Sequence, residues 1–511
     1  MSTTTALSVT KLRAKYSGEK QLVFNDLTLA IPQGQKLLLL GPSGCGKSTL
    51  LQIMSGIVPD AVQMPLHSEH ITKPSNWGFV FQDPDTQFCM SYVDEELAFV
   101  LENLRIPREQ MELLMNEVLN QVQLKLPALH TPIAELSQGM KQRLALAAVL
   151  LLKPDVVFLD EPSALLDPEG KLQIWQAIRR TLSNHTVIVV EHHINGILEW
   201  FDRVVVFNRQ GDIIADDQPK VVFEQHKPFL MQEGIWYPNI WEEHFQALPN
   251  SAIAPLLDGV DHRPTLLELE NFSIERGGFR LHVDYAAAKQ SDWITIIGRN
   301  GAGKSTLLYA LARLLNSNGS YRILGAEATD DIPDSISYVF QNPELQFIAD
   351  RIIDEVTHSL QVKHASIEGE ATTDQAPESR ANHWLHRLLK PKRKNKTAPK
   401  EQLIAEASQA LEQLHLNVPY ERHPYELSIG QKRRLSVLTA LVEKRSIILL
   451  DEPTFGQDAR STFVMLEWLA RLQAAGITII MVTHDEQIVR RFSTQVWEID
   501  QQMLTVTSRK R

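Results

Sequence analysis

The stretches GPSGCGKST at residues 41–49 and GRNGAGKST at residues 298–306 are two versions of one pattern. In each, glycines precede a Gly-Lys-Ser triplet, which is typical of a loop whose backbone N–H groups hold phosphate oxygens. The first copy follows the apolar run KLLLL and precedes LLQIM, so it lies between a predicted strand and a predicted helix. That context is the one in which the pattern binds nucleotide phosphates. One chain therefore carries two predicted phosphate loops.

The chain is an internal duplication, because four further motifs recur in the same order in both halves. VFQDPDTQF (80–88) matches VFQNPELQF (339–347), LSQGMKQR (136–143) matches LSIGQKRR (427–434), VVFLDEPSALLD (156–167) matches IILLDEPTFGQD (447–458), and VIVVEHH (187–193) matches IIMVTHD (479–485). Ser137 precedes Asp160 by 23 residues, and Ser428 precedes Asp451 by the same 23. The duplication predicts two domains, at 1–235 and 263–511, joined by a linker at 236–262.

The halves differ in one interval. Gln82 and Ser137 are 55 residues apart, whereas Gln341 and Ser428 are 87 apart. The excess coincides with a polar stretch at 363–400, whose composition cannot bury a core. We expect this stretch to be a flexible surface insertion.

Composition excludes several classes of protein. The 62 acidic residues outnumber the 51 basic ones, and the net charge of −11 argues against a general nucleic-acid binder. The two cysteines, Cys45 and Cys89, cannot form a disulfide framework, which favours a reducing cytoplasm. The N-terminus lacks a signal-peptide pattern, and no apolar run reaches the roughly 18 residues that span a bilayer. A membrane role would therefore be peripheral.

The predicted fold class is α/β, with two P-loop nucleotide-binding domains. Short apolar segments such as KLLLL, VVFLD, TVIVV and RVVVF are typical of strands in a mainly parallel sheet covered on both faces. Helical patterns such as LQIWQAIRRTL separate them. We expect each half to have a helical insertion between its Gln82-type and Ser137-type motifs.

The phosphate loops supply most of the predicted ATP-binding residues. Lys47 and Lys304 are expected to reach the β and γ phosphates, and Ser48 and Ser305 to place a hydroxyl on magnesium. The loop residues predicted to bind ATP are Gly41, Pro42, Ser43, Gly44, Cys45, Gly46, Lys47, Ser48 and Thr49 in the first half, and Gly298, Arg299, Asn300, Gly301, Ala302, Gly303, Lys304, Ser305 and Thr306 in the second.

The strand ends carry the predicted catalytic groups. A carboxylate that ends an apolar strand suits magnesium, and the glutamate after it can polarise the attacking water. A histidine ending the next strand can sense the γ phosphate, and a glutamine carbonyl can join the magnesium shell. The predicted catalytic residues are Glu161, His192, Glu452 and His484. The predicted magnesium ligands are Ser48, Gln82, Asp160, Ser305, Gln341 and Asp451.

The motifs LSQG and LSIG predict a second kind of anion site. Ser137 and Ser428 are typical helix N-caps, and a helix N-terminus binds anions. Because each domain already holds its own nucleotide elsewhere, these motifs are expected to bind the γ phosphate of the other domain's ATP. The residues concerned are Ser137, Gln138, Gly139, Ser428, Ile429 and Gly430.

Together these motifs resemble those of tandem ATP-binding-cassette ATPases, and the resemblance covers nearly the whole chain. In that family two cassettes pack head to tail, and each ATP lies between one phosphate loop and the opposite signature motif. The resemblance implies one site that joins Lys47, Asp160 and Glu161 to Ser428 and Gly430. It implies a second that joins Lys304, Asp451 and Glu452 to Ser137 and Gly139. Asp167 and Asp458 match the family's D-loop, which crosses the same interface.

This sequence departs from the family pattern at a few positions. Tyr16 matches the aromatic residue that stacks on adenine, but alignment places Arg276 at the same position of the second half, with Phe279 nearby. The first signature has Met140 where the family prefers Gln. Neither half lacks its catalytic glutamate or histidine, so we expect two hydrolytically competent sites.

The glutamine-loop sequences resemble those of energy-coupling-factor importers, whose ATPases show a Q-N/D-P-x-x-Q-F pattern. The resemblance implies an ATPase on the cytoplasmic face of the cell membrane, with a membrane scaffold (T-type) subunit and a substrate-capturing (S-type) subunit as partners, and no nucleic acid. It favours thiamine or its hydroxymethylpyrimidine precursor as cargo, with cobalt, nickel, biotin and other vitamins left open. The acidic residues Glu95, Glu96, Asp354 and Glu355 are candidates for pairing with the scaffold, or else form a solvated helix face.

A soluble, ribosome-associated translation factor is the alternative. Such factors share the tandem layout, but they join their cassettes by a long, charged linker, and the linker here is short. The ribosome-recycling members carry a cysteine-rich iron–sulfur region, which two scattered cysteines exclude.

Overall fold

The computed structural model describes residues 4–19, 21–42, 44–164, 166–192, 194–247, 263–329, 331, 333–369, 400–414, 416, 418–443 and 445–508. The predicted ATP-binding residue Ser43, residues 248–262 of the predicted linker and residues 370–399 of the predicted insertion lie outside this range. The chain folds as two compact units. One consists of residues 1–246 with Asp458–Arg460, and the other consists of residues 247–457 and 461–511.

The first half consists of ten strands and nine α-helices among its described residues. The strands are β1 (Thr5–Ala14), β2 (Phe24–Pro32), β3 (Lys36–Leu40), β4 (Leu66–His67), β5 (His70–Thr72), β6 (Trp77–Val80), β7 (Val156–Asp160), β8 (Thr186–Val190), β9 (Arg203–Phe207) and β10 (Ile213–Asp217). The helices are α1 (Lys47–Ser55), α2 (Ile57–Asp60), α3 (Val93–Asn103), α4 (Arg108–Gln121), α5 (Gln138–Leu151), α6 (Pro168–Thr181), α7 (Pro219–Gln225), α8 (Lys227–Glu233) and α9 (Ile240–Ala247).

Two sheets organise the first half. The larger has the order β10-β9-β3-β8-β7-β6, and every pair in it is parallel except β10 with β9. The smaller sheet is antiparallel and pairs β1 with β2, β4 and β5. Because β3, β7 and β8 are buried at every position, their apolar runs form the centre of the parallel sheet, as predicted.

The second half repeats this order of elements. Its strands are β11 (Thr265–Arg276), β12 (Phe279–Lys289), β13 (Trp293–Ile297), β14 (Asn318–Ile323), β15 (Ala326–Glu327), β16 (Ile336–Val339), β17 (Ile447–Asp451), β18 (Thr478–Val482), β19 (Gln495–Asp500) and β20 (Met503–Ser508). Its helices are α10 (Lys304–Leu311), α11 (Ile352–Gly369), α12 (Lys400–Gln413), α13 (Ile429–Val442), α14 (Ala459–Ala474) and α15 (Glu486–Phe492).

One continuous sheet spans the second half, in the order β15-β14-β11-β12-β20-β19-β13-β18-β17-β16. The five strands β16, β17, β18, β13 and β19 run parallel, like their counterparts in the first half. The antiparallel strands β11, β12, β14 and β15 join them through β20, whose Met503 pairs with His282 of β12. The predicted α/β class with mainly parallel sheets is confirmed in both halves.

A helical insertion follows the glutamine loop in each half, as predicted. It consists of α3 and α4 in the first half and of α11 and α12 in the second. In the second half the insertion packs on α13 through a core that includes Ile352, Leu411 and Leu435, none of which is accessible to solvent. This core links the glutamine loop mechanically to the helix that begins at the LSIG motif.

The aromatic residues of the predicted linker form a compact cluster. Trp236 and Trp241 are buried, and Trp241 stacks on Phe245 with ring centroids 5.8 Å apart. Glu243 accepts a hydrogen bond from Tyr237 and pairs with Lys227 at 2.5 Å. The first part of the predicted linker therefore packs as a defined structure, which ends in α9 (Ile240–Ala247). Within the described residues, no helix combines the length and the apolar character needed to cross a membrane.

Candidate active site

The phosphate loop of the first half connects β3 to α1. Gly44 and Gly46 have φ angles of 84° and 97°, in the left-handed region that glycine adopts without strain. A Cβ atom at Gly46 would also lie 2.7 Å from Cζ of Phe24, so only glycine lets the loop approach the antiparallel sheet this closely. The buried Lys47 donates hydrogen bonds to the carbonyl oxygens of Gly41 and Pro42 at 2.8 and 2.9 Å, which hold its ammonium group across the loop.

The second phosphate loop connects β13 to α10 with the same geometry. Gly301 and Gly303 have φ angles of 80° and 100°, and a Cβ atom at Gly303 would lie 2.5 Å from Cζ of Phe279. Lys304 donates to the carbonyl oxygens of Gly298 and Arg299 at 2.8 and 3.0 Å. Phe279 therefore supports the loop by packing, as Phe24 does in the first half.

A buried aspartate ends the central strand beside each loop. The Ser48 hydroxyl donates to Oδ1 of Asp160 at 2.8 Å, so the two predicted magnesium ligands are in direct contact. Burial raises the pKa of Asp160 to about 6; Ser48 opposes this rise, and the charge of Glu161 adds to it. In the second half, burial likewise raises the pKa of Asp451. Both of its carboxylate oxygens are buried, and neither has a hydrogen-bond partner at normal distance and angle.

The predicted catalytic glutamates adopt an unusual backbone conformation. Glu161 and Glu452 both have φ of 48°, which is strained for a residue with a side chain. This turn points the glutamate away from the preceding aspartate and towards the histidine two residues beyond the next strand. Oε1 of Glu161 lies 3.1 Å from Nε2 of His192, and Oε1 of Glu452 lies 3.2 Å from Nε2 of His484.

The histidines also set the charge state of the glutamates. Burial alone would raise the pKa of Glu161, but contact with His192 and the charge of Lys47 bring it below the ordinary value. The same opposition, with His484 and Lys304 acting against burial, lowers the pKa of Glu452. Both glutamates are therefore ionised at neutral pH, as a base that accepts a proton from water requires.

The glutamine loops differ between the two halves. In the first, Nε2 of Gln82 donates to Oε2 of Glu161 at 3.0 Å, so the amide contacts the catalytic carboxylate. In the second, the side chain of Gln341 is exposed. The predicted role of both glutamines as magnesium ligands stays a prediction, and the structure adds a contact that the sequence did not indicate.

Ser137 and Ser428 are helix N-caps, as predicted. The Ser137 oxygen accepts a hydrogen bond from Met140 N, and the Ser428 oxygen accepts one from Gln431 N, each at 3.3 Å. Ser428 N in turn donates a hydrogen bond to Oε1 of Gln431 at 3.0 Å, which completes a capping box. Met140 has no such oxygen, so this departure of the first signature removes half of the box.

The predicted adenine-stacking positions lie at the ends of β1 and β11. The Tyr16 ring is 44 % exposed, and its hydroxyl is 2.8 Å from the Thr49 hydroxyl, next to the phosphate loop. Lys11 and Asn271 both have positive φ angles, which shows that β1 and β11 carry the same irregularity in the same register. This register supports the alignment of Tyr16 with Arg276, whose side chain is exposed at the end of β11.

This geometry can be set against known proteins. The family model described as "ABC transporter" matches residues 24–164 and 285–455, more than half of the chain. The chain belongs to the ABC transporter family. It is a tandem ABC ATPase and an ATP-binding transporter subunit, with one nucleotide-binding domain in each half.

The relatives of this ABC ATPase match it over nearly its whole length. It is 32 % identical to the "Putative HMP/thiamine import ATP-binding protein YkoD" of Bacillus subtilis, over 96 % of this chain and 89 % of that protein. It is 28 % identical to a "Putative ABC transporter ATP-binding protein" of Methanosarcina acetivorans, over 95 % of this chain and 83 % of that one. Among solved structures, the complex of archaeal ribosomal stalk protein aP1 and ribosome recycling factor aABCE1 has a TM-score of 0.60 at 20 % identity. It covers 96 % of this chain and 87 % of that one, and this likeness shows the tandem fold alone.

The residues of both halves fit ATP with a magnesium ion. ATP binding follows from membership of the family. Magnesium favours oxygen ligands and keeps several from water and substrate phosphates. The buried Asp451 oxygens and the Asp160–Ser48 pair are such ligands. Within the described parts of the chain, no cluster of three or more His, Cys, Asp or Glu side chains could hold a metal ion by itself. An ion held jointly by one carboxylate, one hydroxyl and phosphates fits this arrangement.

Sequence reasoning missed three sets of residues around these sites. Glu191 is buried beside Ser163, which donates a hydrogen bond to it; Thr483 is the corresponding residue of the second half. Gln142 and Arg433 are buried at matching positions of the signature helices. The sequence did contain a signal for these two sets, because the aligned motifs differ at these positions. Residues 191–193 read EHH where 483–485 read THD, and residues 141–143 read KQR where 432–434 read KRR.

The third set is a pair of acidic residues that the sequence placed at a partner surface. Glu96 is only 4 % exposed, and its Oε2 accepts hydrogen bonds from the amides of Cys89 and Met90 at 2.9 and 2.8 Å. Glu355 binds two consecutive amides, those of Ile348 and Ala349, in the same way. Because both carboxylates stabilise the turn that follows their own glutamine loop, their proposed pairing with a membrane scaffold was wrong.

Proposed function

We propose that this chain is the ATPase subunit of an energy-coupling-factor importer that takes up hydroxymethylpyrimidine or thiamine. The observation that carries the proposal is the 32 % identity, over nearly all of both chains, to the HMP/thiamine import ATP-binding protein of Bacillus subtilis. The sequences VFQDPDTQF and VFQNPELQF support it, because they follow the glutamine-loop pattern of these importers. Cobalt, nickel and biotin remain competing cargoes that the uptake experiment below distinguishes.

In this proposal each half binds one ATP through its phosphate loop. Lys47 and Lys304 exchange their loop carbonyls for the β and γ phosphates, which are stronger acceptors for an ammonium group. Ser48 with Asp160, and Ser305 with Asp451, would hold a magnesium ion, which would neutralise phosphate charge. Binding of each γ phosphate by the signature serine and glycine of the opposite half is also part of the proposal, and it rests on the sequence.

Hydrolysis is assigned to the glutamate–histidine pairs. Glu161 and Glu452 accept the proton of the attacking water, since a lowered pKa keeps both carboxylates ionised at neutral pH and free to take it up. His192 and His484 orient these carboxylates and contact the γ phosphate. The side chain of Gln82 donates to Oε2 of Glu161, so movement of the first glutamine loop would change the hydrogen bonding of the catalytic carboxylate and couple the loop to hydrolysis.

The membrane partners in this proposal dock near the segments that follow the glutamine loops. Leu345 and Ile348 are 66 % and 61 % exposed there, although both are apolar. Glu95 is exposed and keeps its place as a candidate for pairing with the scaffold, whereas Asp354 already pairs with Arg351 at 2.5 Å. Movement of these segments during the ATP cycle would drive the membrane subunits.

Purification from detergent-solubilised membranes tests the class of function. An affinity-tagged chain should retain two kinds of integral membrane protein, a scaffold and a substrate-capturing subunit. A Glu95→Lys variant should bind ATP normally but retain less scaffold, with Glu199→Lys as a control at another exposed acidic residue. Recovery of ribosomal proteins in place of membrane subunits would refute the importer proposal and support the translation-factor alternative.

Uptake by whole cells tests the cargo. A strain that lacks this chain should lose uptake of labelled hydroxymethylpyrimidine or thiamine and regain it with the wild-type chain, but not with a Lys47→Ala, Lys304→Ala double variant. Labelled cobalt, nickel and biotin should enter at equal rates with and without the chain. A loss confined to one of these three would replace the proposed cargo while leaving the importer class intact.

A further inference from the structure

Arg433 occupies a position where the two halves differ in charge. It lies in α13, five residues after the N-cap Ser428, and is only 5 % exposed. The matching residue of α5 is Gln142, which is 1 % exposed. A buried guanidinium in one half therefore replaces a buried neutral amide in the other.

The contacts of these two side chains differ as well. Nε2 of Gln142 donates to the carbonyl oxygens of Phe81 and Gln82 at 3.3 and 3.0 Å, both in the glutamine loop. Arg433 donates through Nη2 to the carbonyl oxygen of Gln341 at 2.7 Å, and through Nη1 to that of Glu452. Only the arginine thus bridges the glutamine loop and the main chain of the catalytic glutamate.

The surroundings of Arg433 explain how a buried cation is tolerated. Burial lowers the pKa of Arg433, while the charges of Glu452 and Asp451 oppose this, and a guanidinium stays protonated over the physiological range. The Phe455 ring lies 5.7 Å from the guanidinium carbon. A planar fork of donors suits two carbonyl oxygens at once, which a single ammonium group could not hold in the same geometry.

The bridge also compensates for a contact that differs between the halves. In the first half the Gln82 side chain itself binds Glu161, so loop and base are joined side chain to side chain. In the second half the Gln341 side chain is exposed, and Arg433 joins the two segments through their backbones. The carbonyl oxygen of Glu452, whose backbone has φ of 48°, is thereby tied to the glutamine loop, whereas that of Glu161 receives no hydrogen bond from Gln142.

We propose that Arg433 is a positioning residue for ATP hydrolysis in the second half. By holding the carbonyl oxygens of Gln341 and Glu452 together, it fixes the catalytic carboxylate relative to the glutamine loop. Its removal slows the chemical step and leaves ATP binding unchanged. The inference concerns hydrolysis alone and does not depend on the cargo or on the membrane partners.

Steady-state kinetics of the purified full chain carrying Glu161→Gln test the inference, because only the second half then hydrolyses ATP. This Glu161→Gln chain takes the place of wild type in the comparisons that follow. Arg433→Gln introduces the residue that the first half already carries at this position. It should lower kcat about tenfold, with KM for ATP within about twofold of wild type, because the binding residues are untouched and only the alignment of the base changes. Arg433→Lys should lie between wild type and Arg433→Gln, since one ammonium group can hold one carbonyl oxygen well.

The matched control is Arg490→Gln, which removes the same charge from an exposed position of the same half and should leave kcat and KM unchanged. A kcat for Arg433→Gln within about twofold of wild type would overturn the inference. So would a wild-type kcat for Arg433→Lys, because the two-carbonyl grip would then be unnecessary. If Arg433→Gln does not fold, the folded Lys variant decides the question by the same criterion.

Discussion

The Ser163 hydroxyl donates a hydrogen bond to the buried carboxyl group of Glu191 in the first half. Glu191 follows β8 directly and precedes His192, so it is next in the chain to one member of the Glu161–His192 pair. Burial raises its pKa to about 8, and the charge of Glu161 adds to the rise; Ser163, Lys171 and the His192 amide oppose it. At neutral pH the folded chain therefore keeps a proton on Glu191, which an unfolded chain with an ordinary glutamate pKa of 4.5 releases.

This proton makes the stability of the first half dependent on pH. A pKa raised on folding contributes stability that is complete below pH 4.5 and is lost as the pH rises through about 8. The contribution should fall by about 1.4 kcal/mol per pH unit within this window. Glu191→Gln has no proton to lose and should remove that part of the slope. Calorimetric unfolding at pH 6 and pH 8 measures the difference; parallel changes in Tm for wild type and variant would contradict the prediction.

The strained glutamates should be needed for turnover but not for binding. In the double variant Glu161→Gln, Glu452→Gln, we expect ATP hydrolysis to fall at least about 100-fold, because no base remains to accept the proton of water. Binding of a fluorescent ATP analogue should stay near the wild-type level, since an amide has almost the same shape. Glu199→Gln, at an exposed position, serves as control. Substantial hydrolysis by the double variant would exclude both residues as the base.

Exchanging Met and Gln at the third position after the N-cap serine should change the stability of the two helix starts in opposite directions. Met140→Gln gives the N–H of Ser137 a side-chain acceptor, as Oε1 of Gln431 accepts from Ser428 N, and should stabilise the start of α5 by about 0.5 kcal/mol. Gln431→Met should weaken the start of α13 by a similar amount. Hydrogen exchange of the amides at residues 138–141 and 429–432 measures both effects. Equal protection in wild type and variants would show that the box is not needed.

Loss of the Glu96 carboxylate should loosen the turn after the first glutamine loop. Glu96→Ala leaves the amides of Cys89 and Met90 without their acceptor, and we expect it to destabilise the first half by about 2 kcal/mol. Cys89 is exposed while Cys45 is buried, so the rate at which a thiol reagent labels the native chain reports on this turn. Labelling should accelerate in Glu96→Ala but not in Glu95→Ala, where the neighbouring carboxylate is exposed. An unchanged rate in both variants would refute the role of Glu96.

The Tyr16 ring should contribute to binding of adenine independently of its hydroxyl. Tyr16→Ala should weaken ATP binding about tenfold, because stacking of a base on an aromatic ring is worth about 1–3 kcal/mol. Tyr16→Phe keeps the ring, loses the contact with Thr49 and should bind almost like wild type. Equilibrium binding of ATP by both variants separates the two contributions. Normal ATP binding by Tyr16→Ala, or a Tyr16→Phe variant as weak as Tyr16→Ala, would show that the stacking assignment is wrong.

Much of the fold was predictable because its signals are local. The apolar runs of β3, β7 and β8, the glycine pattern of each phosphate loop and the serines before α5 and α13 each depend on a few consecutive residues. Because the chain is duplicated, each motif occurs twice in the same order, and the second occurrence supports the assignment of the first. The helical insertions followed from the spacing between motifs.

The roles of single buried side chains were less predictable. Glu96 and Glu355 have the charge of a partner surface, and only their burial shows that they bind their own turns. Glu191 and Arg433 are ordinary charged residues in the sequence. Their neighbours Ser163, Gln341 and Glu452 lie 28, 92 and 19 residues away along the chain, so no local pattern records the contacts.

The sequence alone determined that this protein has two ATP-binding cassettes, with a phosphate loop, a strand-ending aspartate, a glutamate and a histidine in each. Local backbone preferences and apolar periodicity are sufficient for that, because they act within a few residues. The tertiary structure decided which polar groups surround each catalytic glutamate: the Gln82 amide and the buried Glu191 carboxyl group in the first half, and the buried Arg433 guanidinium in the second. The electrostatics of a buried site depend on groups brought together from distant positions, and only the folded chain brings them together.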